Sequence, residues 1–139
     1  MHILDTDTIT HLHAGHPRVV KRLQKLDDPD VGITIITKIE LLRGRFDFLL
    51  KAANGRELNR AQRLLDRTEE LLSQLFVLPT DEKSAIQFET LLREKKLRKI
   101  GRADILIASI ALAHHAILVT RNVRHFNKIQ RLIVTNWVD

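Results

Sequence analysis

Val31-Gly32-Ile33-Thr34-Ile35-Ile36-Thr37-Lys38-Ile39-Glu40-Leu41-Leu42 is the stretch on which the fold class turns. Residues 31–35 are few and rich in β-branched side chains, whose stiffness suits a strand. From Thr37 the apolar positions switch to helical spacing, with Ile39, Leu42, Phe46 and Leu49 on one stripe, and predict a helix over 37–53. A strand feeding straight into a helix is the repeating unit of an α/β fold. The same stretch carries Glu40, expected on the third or fourth residue of the helix. There the helix dipole favours it, while Ile39, Leu41 and Leu42 crowd it toward the core. Gly44, one turn later, leaves space in which another segment can approach.

Outward from this stretch the alternation continues. Upstream, residues 2–4 form a strand that ends in the polar turn Asp5-Thr6-Asp7-Thr8, which offers N-cap chemistry to a helix. Pro17 suits the first turn of a second helix, with Val19, Val20, Leu23 and Leu26 on one stripe. Downstream, Asn54-Gly55 is a break, 57–75 a helix and 76–79 a third strand. Another helix starts at Thr80-Asp81-Glu82 and runs through Leu91 and Leu92. Residues 105–113 are apolar almost all round, which predicts a fully buried helix. Strands are expected at 116–120 and 132–135. Five strands alternating with helices predict an α/β fold with a parallel sheet covered on both faces. Ligands in such sheets bind beyond the carboxyl ends of the strands.

The chain has 139 residues, enough for one domain with a hydrophobic core. With 44% hydrophobic and 29% charged residues it is globular rather than disordered. The absence of cysteine excludes disulfides and thiolate metal sites, and fits a reducing cytoplasm. Asp5 and Asp7 interrupt the N-terminus before a signal-peptide core can form, and no apolar run approaches the roughly 20 residues of a membrane span. The formal net charge of +6 admits two readings, a polyanionic partner such as nucleic acid or a basic solvated surface.

Against this basic background, three carboxylates sit at the rims of apolar segments: Asp5 closes 1–4, Glu40 lies inside 35–42 and Asp104 opens 105–113. Each has a plain structural explanation as a helix-terminal carboxylate. Yet Asp104 continues into Ile107, Ala108, Ala111 and Leu112, an apolar face that a solvated cap does not need. Charge at a core edge is costly without a partner, and three such residues at strand ends point to a shared divalent metal. An oxygen-rich set suits Mg2+ or Mn2+, the ions of phosphodiester hydrolysis. Thr6, Thr37 and Thr120 each adjoin a carboxylate or strand end, where a hydroxyl orients a ligand; capping and β-propensity are the alternatives. His11, His13 and His16 lack acidic or cysteine partners, so surface histidines are expected rather than a zinc site.

Leu4-Asp5-Thr6-Asp7, 36–44 (Ile-Thr-Lys-Ile-Glu-Leu-Leu-Arg-Gly), Asp104-Ile105-Leu106-Ile107-Ala108, 119–126 (Val-Thr-Arg-Asn-Val-Arg-His-Phe) and Val134-Thr135-Asn136-Trp137 closely resemble the PIN-domain ribonucleases. Within them they resemble the VapC toxins of bacterial toxin–antitoxin modules. The ordered motifs cover essentially the whole chain, 1–139, as one PIN domain. The resemblance implies a Rossmann-like parallel sheet, metal-dependent endonuclease activity on RNA such as transfer RNA, inhibition by a VapB-type antitoxin, and homodimerisation. It gives Asp5, Glu40 and Asp104 as metal-binding carboxylates and Asn122 as a fourth, supporting member of the catalytic set. Two residues depart from the pattern. Asp7 replaces a common asparagine, and so either caps the helix or adds a carboxylate. His125 replaces a frequent acidic residue, which leaves the number of metals open. Arg98, Lys99 and Arg102 before Asp104, and Arg121 and Arg124 around Asn122, are the expected RNA-phosphate contacts. The leucine-rich helices at 37–53 and 57–75 are expected to frame a groove for an antitoxin helix. The alternative is a PIN-like protein that binds RNA or an antitoxin without cleaving.

Overall fold

Five parallel strands, β1 (His2–Leu4), β2 (Val31–Thr34), β3 (Phe76–Leu78), β4 (Ile117–Val119) and β5 (Ile133–Thr135), form one sheet in the order β3-β2-β1-β4-β5. The computed structural model describes residues 1–139. Seven helices connect and cover the strands: α1 (Thr6–His13), α2 (Pro17–Lys25), α3 (Ile35–Leu50), α4 (Gly55–Ser73), α5 (Glu82–Arg93), α6 (Arg102–Ala113) and α7 (Val123–Phe126). The chain builds β1, β2 and β3 outward in one direction, then crosses to lay β4 and β5 on the other side of β1. The carboxyl ends of β1 and β4, paired through Leu4 and Val119, therefore flank the point where the strand order reverses.

Alternation along the strands serves two cores. Ile3 and Leu118 enter one core with α5 and α6, through Leu91, Ile105 and Ala108. Leu4 and Val119, one residue later, enter the other with Ile9, Val19, Leu41 and Leu72 from α1 to α4. A sheet apolar on both faces is what parallel pairing requires, since both sides are covered. The α6 segment is buried from Ile107 to Leu112, as its all-round apolar pattern predicts. On β2, Gly32 is required by packing: a Cβ there would lie 2.4 Å from the Phe76 ring and 2.6 Å from the Phe76 carbonyl oxygen.

Several boundaries differ from the pattern for local reasons. β2 ends at Thr34 because its hydroxyl caps α3, accepting from the Thr37 amide at 3.3 Å, so Ile35 and Ile36 are already helical. Glu40 is thus the sixth residue of α3, exposed and beyond the first turn, rather than a dipole-stabilised residue crowded by its neighbours. Gly44 faces open space, and no segment approaches it. Asn54-Gly55 is a helix start: the Asn54 side chain accepts from the Glu57 amide at 2.9 Å, and Glu57 accepts from the Ala53 amide. α6 begins at Arg102, which puts Asp104 inside its first turn. The short α7 and the 3-10 turn Lys95–Leu97 carry too few residues for a periodic signal.

Candidate active site

Beyond the carboxyl ends of β1, β2 and β4 lies an open cleft of about 680 Å³, lined by Asp5, Asp7, Glu40 and Asp104 together with Thr6, Thr10, Ile107, Arg121, Asn122 and Phe126. The fold thus brings to one wall carboxylates that are far apart along the chain. Asp5 follows β1 and is 8% exposed. Its carboxylate caps α1 by accepting from the Thr8 amide at 2.8 Å. Burial pushes its pKa up, against hydrogen bonds from Thr120 and Thr8, and the Asp7 charge adds to the rise. The capping explanation and a place in the cleft are therefore both true of Asp5.

Glu40 reaches the cleft from α3. The Thr6 hydroxyl donates to its Oε1 at 2.6 Å and lies 3.0 Å from the hydroxyl of Thr37, which is fully buried. A Thr37–Thr6–Glu40 chain thus ties α1 to α3 across the mouth of the sheet. Asp104 points in from α6, half-buried, with its Oδ2 3.3 Å from His125 Nε2. Burial raises the Asp104 pKa, His125 opposes the rise, and the Glu40 charge reinforces it. Asn122 is the N-cap of α7 but spends no side-chain hydrogen bond on capping, so its amide is free to face the cleft. Thr120 is buried beneath, where its hydroxyl accepts from the Asn122 backbone amide at 3.0 Å. Asp7 is exposed at the rim with His11 Nδ1 3.7 Å from its carboxylate.

Of the five basic residues expected on RNA, Arg121 alone lines the cleft. It forms a two-pronged pair with Asp139, Nε to Oδ2 at 3.1 Å and Nη2 to Oδ1 at 3.3 Å. Arg102 lies over the Phe88 ring of α5, 5.4 Å from its centroid, because residues two apart on a helix face different ways. Arg98, Lys99 and Arg124 are exposed outside the cleft wall. His11 and His13 of α1, and His16 at the N-cap of α2, are half-buried rather than superficial: His13 Nε2 is 3.2 Å from the Thr68 hydroxyl, and His11 and His16 meet edge to face at 5.3 Å. Thr8, with its amide on Asp5 and its hydroxyl on the Val119 carbonyl at 3.1 Å, is a site residue that the sequence pattern alone did not single out. Its position as third residue after an N-cap carboxylate is the signal that locates it.

The donor set is all oxygen, and its charges are partly desolvated and mutually repulsive. That combination fits a hard divalent cation. As placed, no three acidic or imidazole groups converge at ligating spacing, because Glu40 is drawn to Thr6 and Asp104 to His125.

Comparison with known proteins agrees with this geometry. The PIN domain model matches residues 2–132. Ribonuclease VapC1 of Haemophilus influenzae strain R2866 is 31% identical over 143 residues, covering 99% of this chain and 98% of its own. The tRNA(fMet)-specific endonuclease VapC of Salmonella typhimurium is 27% identical, covering 97% of this chain and 96% of its own. The solved structure of VapBC-1 from nontypeable Haemophilus influenzae superimposes with a TM-score of 0.81 at 27% identity, over 99% of this chain and 98% of the other.

Proposed function

The chain belongs to the PIN-domain family and, within it, to the VapC ribonucleases, and from that premise we infer that it is the endoribonuclease toxin of a toxin–antitoxin pair, cutting RNA with a divalent ion held in the carboxylate cleft. The observation that carries this reading is the convergence of Asp5, Glu40 and Asp104 with Asn122 at the switch point of the sheet.

Asp5, Glu40 and Asp104 would hold Mg2+ or Mn2+. Bound there, the ion supplies positive charge to the scissile phosphate and acidifies the attacking water. Asp5 is fixed by the Thr8 amide and oriented over buried Thr120. Thr6 sets the Glu40 rotamer, and Thr37 braces Thr6 from below. His125 holds the Asp104 carboxylate through Nε2. Asn122 presents an uncharged amide, which orients a phosphate oxygen or water without adding repulsion. Asp7 contributes negative charge at the rim, and Arg121 offers a guanidinium fork to a neighbouring phosphate. Structured RNA such as transfer RNA is the substrate class, in line with the name of the Salmonella relative.

A VapB-type antitoxin would seat on α3 and α4. Ile39, Phe46 and Leu50 are 45%, 57% and 68% exposed along one stripe of α3, with exposed Leu58 on α4. Solvent-exposed apolar stripes of this kind mark helix-binding grooves, and the VapBC structures have the same fold. Homodimerisation and a cytoplasmic location complete the proposal; no helix is long and apolar enough to cross a membrane.

The test is cleavage of RNA by purified protein with Mg2+ or Mn2+, beside Asp5→Asn and Asp104→Asn. Loss of at least about a hundredfold in each variant is expected for removal of a group that stabilises transition-state charge. Equal cutting by parent and variants rejects the site. The other reading is a PIN-like protein that binds RNA or an antitoxin without cleaving. RNA binding without metal-dependent cleavage would establish that alternative. Growth arrest on expression, relieved by a co-expressed antitoxin, tests the toxin role.

A further inference from the structure

A second cleft of about 490 Å³ lies against α2, lined by Arg18, Lys21, Arg22 and Lys25 with Leu26, Trp137 and Asp139. The two clefts meet at one ion pair, since Arg121 lines the first, Asp139 the second, and the two side chains are bonded at 3.1 and 3.3 Å. The spacing 18, 21, 22, 25 puts all four α2 cations on one face, about 10 Å long at 1.5 Å per residue.

Helix stability does not account for this stripe. α2 carries no acidic residue, and like charges three and four apart on a helix repel. Arg22 and Lys25 suit the C-terminal end of the dipole, whereas Arg18, beside Pro17 in the first turn, opposes it. None of the four forms an ion pair. The nearest carboxylate downstream that is held in place, Asp28, is turned onto His2. The apolar side of the helix is used up inside the protein, where Val19 is fully buried and Leu23 and Leu26 pack on the same core. No large apolar side chain of α2 is exposed, and outside stand the four cations with Pro17 and Gln24, which suits a chain of phosphates and not insertion into lipid. Asp139 is held below the ordinary carboxylate range by hydrogen bonds from Asn136 and Arg121, with the Arg121 and Arg18 charges adding to the effect.

We propose that the cationic face of α2 is a second RNA-backbone subsite, continuous with the carboxylate cleft, and that the Asp139 side chain is a phosphate-mimicking latch on Arg121 at the junction of the two. RNA running out of the cleft displaces Asp139 from Arg121, and its next phosphates lie along Arg18, Lys21, Arg22 and Lys25. This explains how a cleft with one basic lining residue holds a polyanion. The proposal rests on the RNA reading above, but concerns binding outside the place of cleavage.

The test is fluorescence anisotropy of a fluorescein-labelled stem-loop RNA over a range of KCl, in EDTA so that nothing is cut. The parent protein is compared with Lys21→Gln/Arg22→Gln/Lys25→Gln, its folding checked by thermal melting. Binding by the triple variant is expected to weaken roughly tenfold or more, with a log–log salt slope shallower by about 2–3, at ~0.7–0.9 for each phosphate no longer neutralised. Asp139→Asn frees Arg121 and is expected to tighten the same RNA several-fold, a gain that misfolding does not produce. Parental affinity and slope in the triple variant overturn the subsite, even if the protein cuts RNA with Mg2+. Weaker or unchanged binding by Asp139→Asn overturns the latch. Binding in EDTA without cleavage in Mg2+ removes the nuclease reading and leaves the subsite standing, whereas no binding by the parent in EDTA removes the subsite, and cleavage in Mg2+ then keeps the nuclease reading. Loss of phosphatidylserine-vesicle binding in the triple variant, with RNA affinity unchanged, assigns the face to membranes and overturns the proposal.

Discussion

Replacing Thr6 by valine removes one oxygen and almost no volume, and the structure indicates what should follow. The Thr6 hydroxyl donates to Glu40 Oε1 at 2.6 Å and meets the Thr37 hydroxyl at 3.0 Å. A hydrogen bond to a charged group contributes roughly 1.5–3 kcal/mol when shielded, but Glu40 is exposed and water replaces the missing donor, so little of that is lost. Thr37 is different. It is fully buried, Thr6 is its hydroxyl's partner, and leaving it unpaired costs about 1–2 kcal/mol. The expected loss is about 1–2 kcal/mol in urea unfolding, or roughly 3–8 °C in Tm for a chain of this size. Activity should fall further than stability, by about 10–100-fold in kcat/KM, because a loosened ligand costs that much at a metal site. The Mg2+ concentration for half-maximal rate should rise as well, a change that a purely structural role does not predict. Thr6→Ser keeps the hydroxyl and should restore both. If Thr6→Val retains parental stability and metal dependence, the chain from Thr37 through Thr6 to Glu40 does not position the site, and the reasoning fails.

Other expectations are independent of that chain. Asp5→Asn and Asp104→Asn should abolish cleavage while leaving the metal-free protein as stable or more so, since asparagine still caps α1 at position 5. The sign follows from the raised pKa of each group in the folded state. The penalty is absent below the unfolded value near 3.8, grows as pH rises through the folded value, and is complete above it, so the stability gap between parent and variant should close on acidification. Asp28, held far below the usual range by His2 and the Asp30 amide, works the other way: its contribution is present above the unfolded value and lost as pH falls, and Asp28→Asn should lower Tm at neutral pH but not in strong acid. Gly32→Ala should cost about 1–3 kcal/mol by overpacking against Phe76, whose carbonyl cannot swing aside, and Phe76→Leu should recover only part of it in a double-mutant cycle. His115 ends α6 with φ +52°, so His115→Gly should stabilise by about 1 kcal/mol in thermal or urea melts.

Much of the site is visible in the chain because its carboxylates interrupt apolar runs. Asp5 and Asp104 stand at such interruptions, and both are half-buried or more. Glu40 shows the same signal but sits elsewhere in its helix than the pattern suggests, since Ile35 and Ile36 look like strand by composition and are helical through the Thr34 cap. The basic residues are the least legible. A run such as 93–102 shows charge but not direction, and four of the five expected RNA-binding residues lie outside the cleft. The α2 cations, far from most of the acidic set in sequence, come beside the site only through the Arg121–Asp139 pair.

From sequence alone came the alternation of strand and helix, the parallel two-sided sheet, the acidic set and the family resemblance, because periodicity and charge at core edges are local and survive without coordinates. Only the tertiary structure decided what those residues touch. Strand order sets which carboxyl ends adjoin at the switch point, and helix phase sets which side chains enter the cleft. Both depend on packing between residues far apart in the chain. That is why Thr6 meets Glu40, Asp104 meets His125, and a basic helix near the N-terminus is joined to the cleft by Asp139.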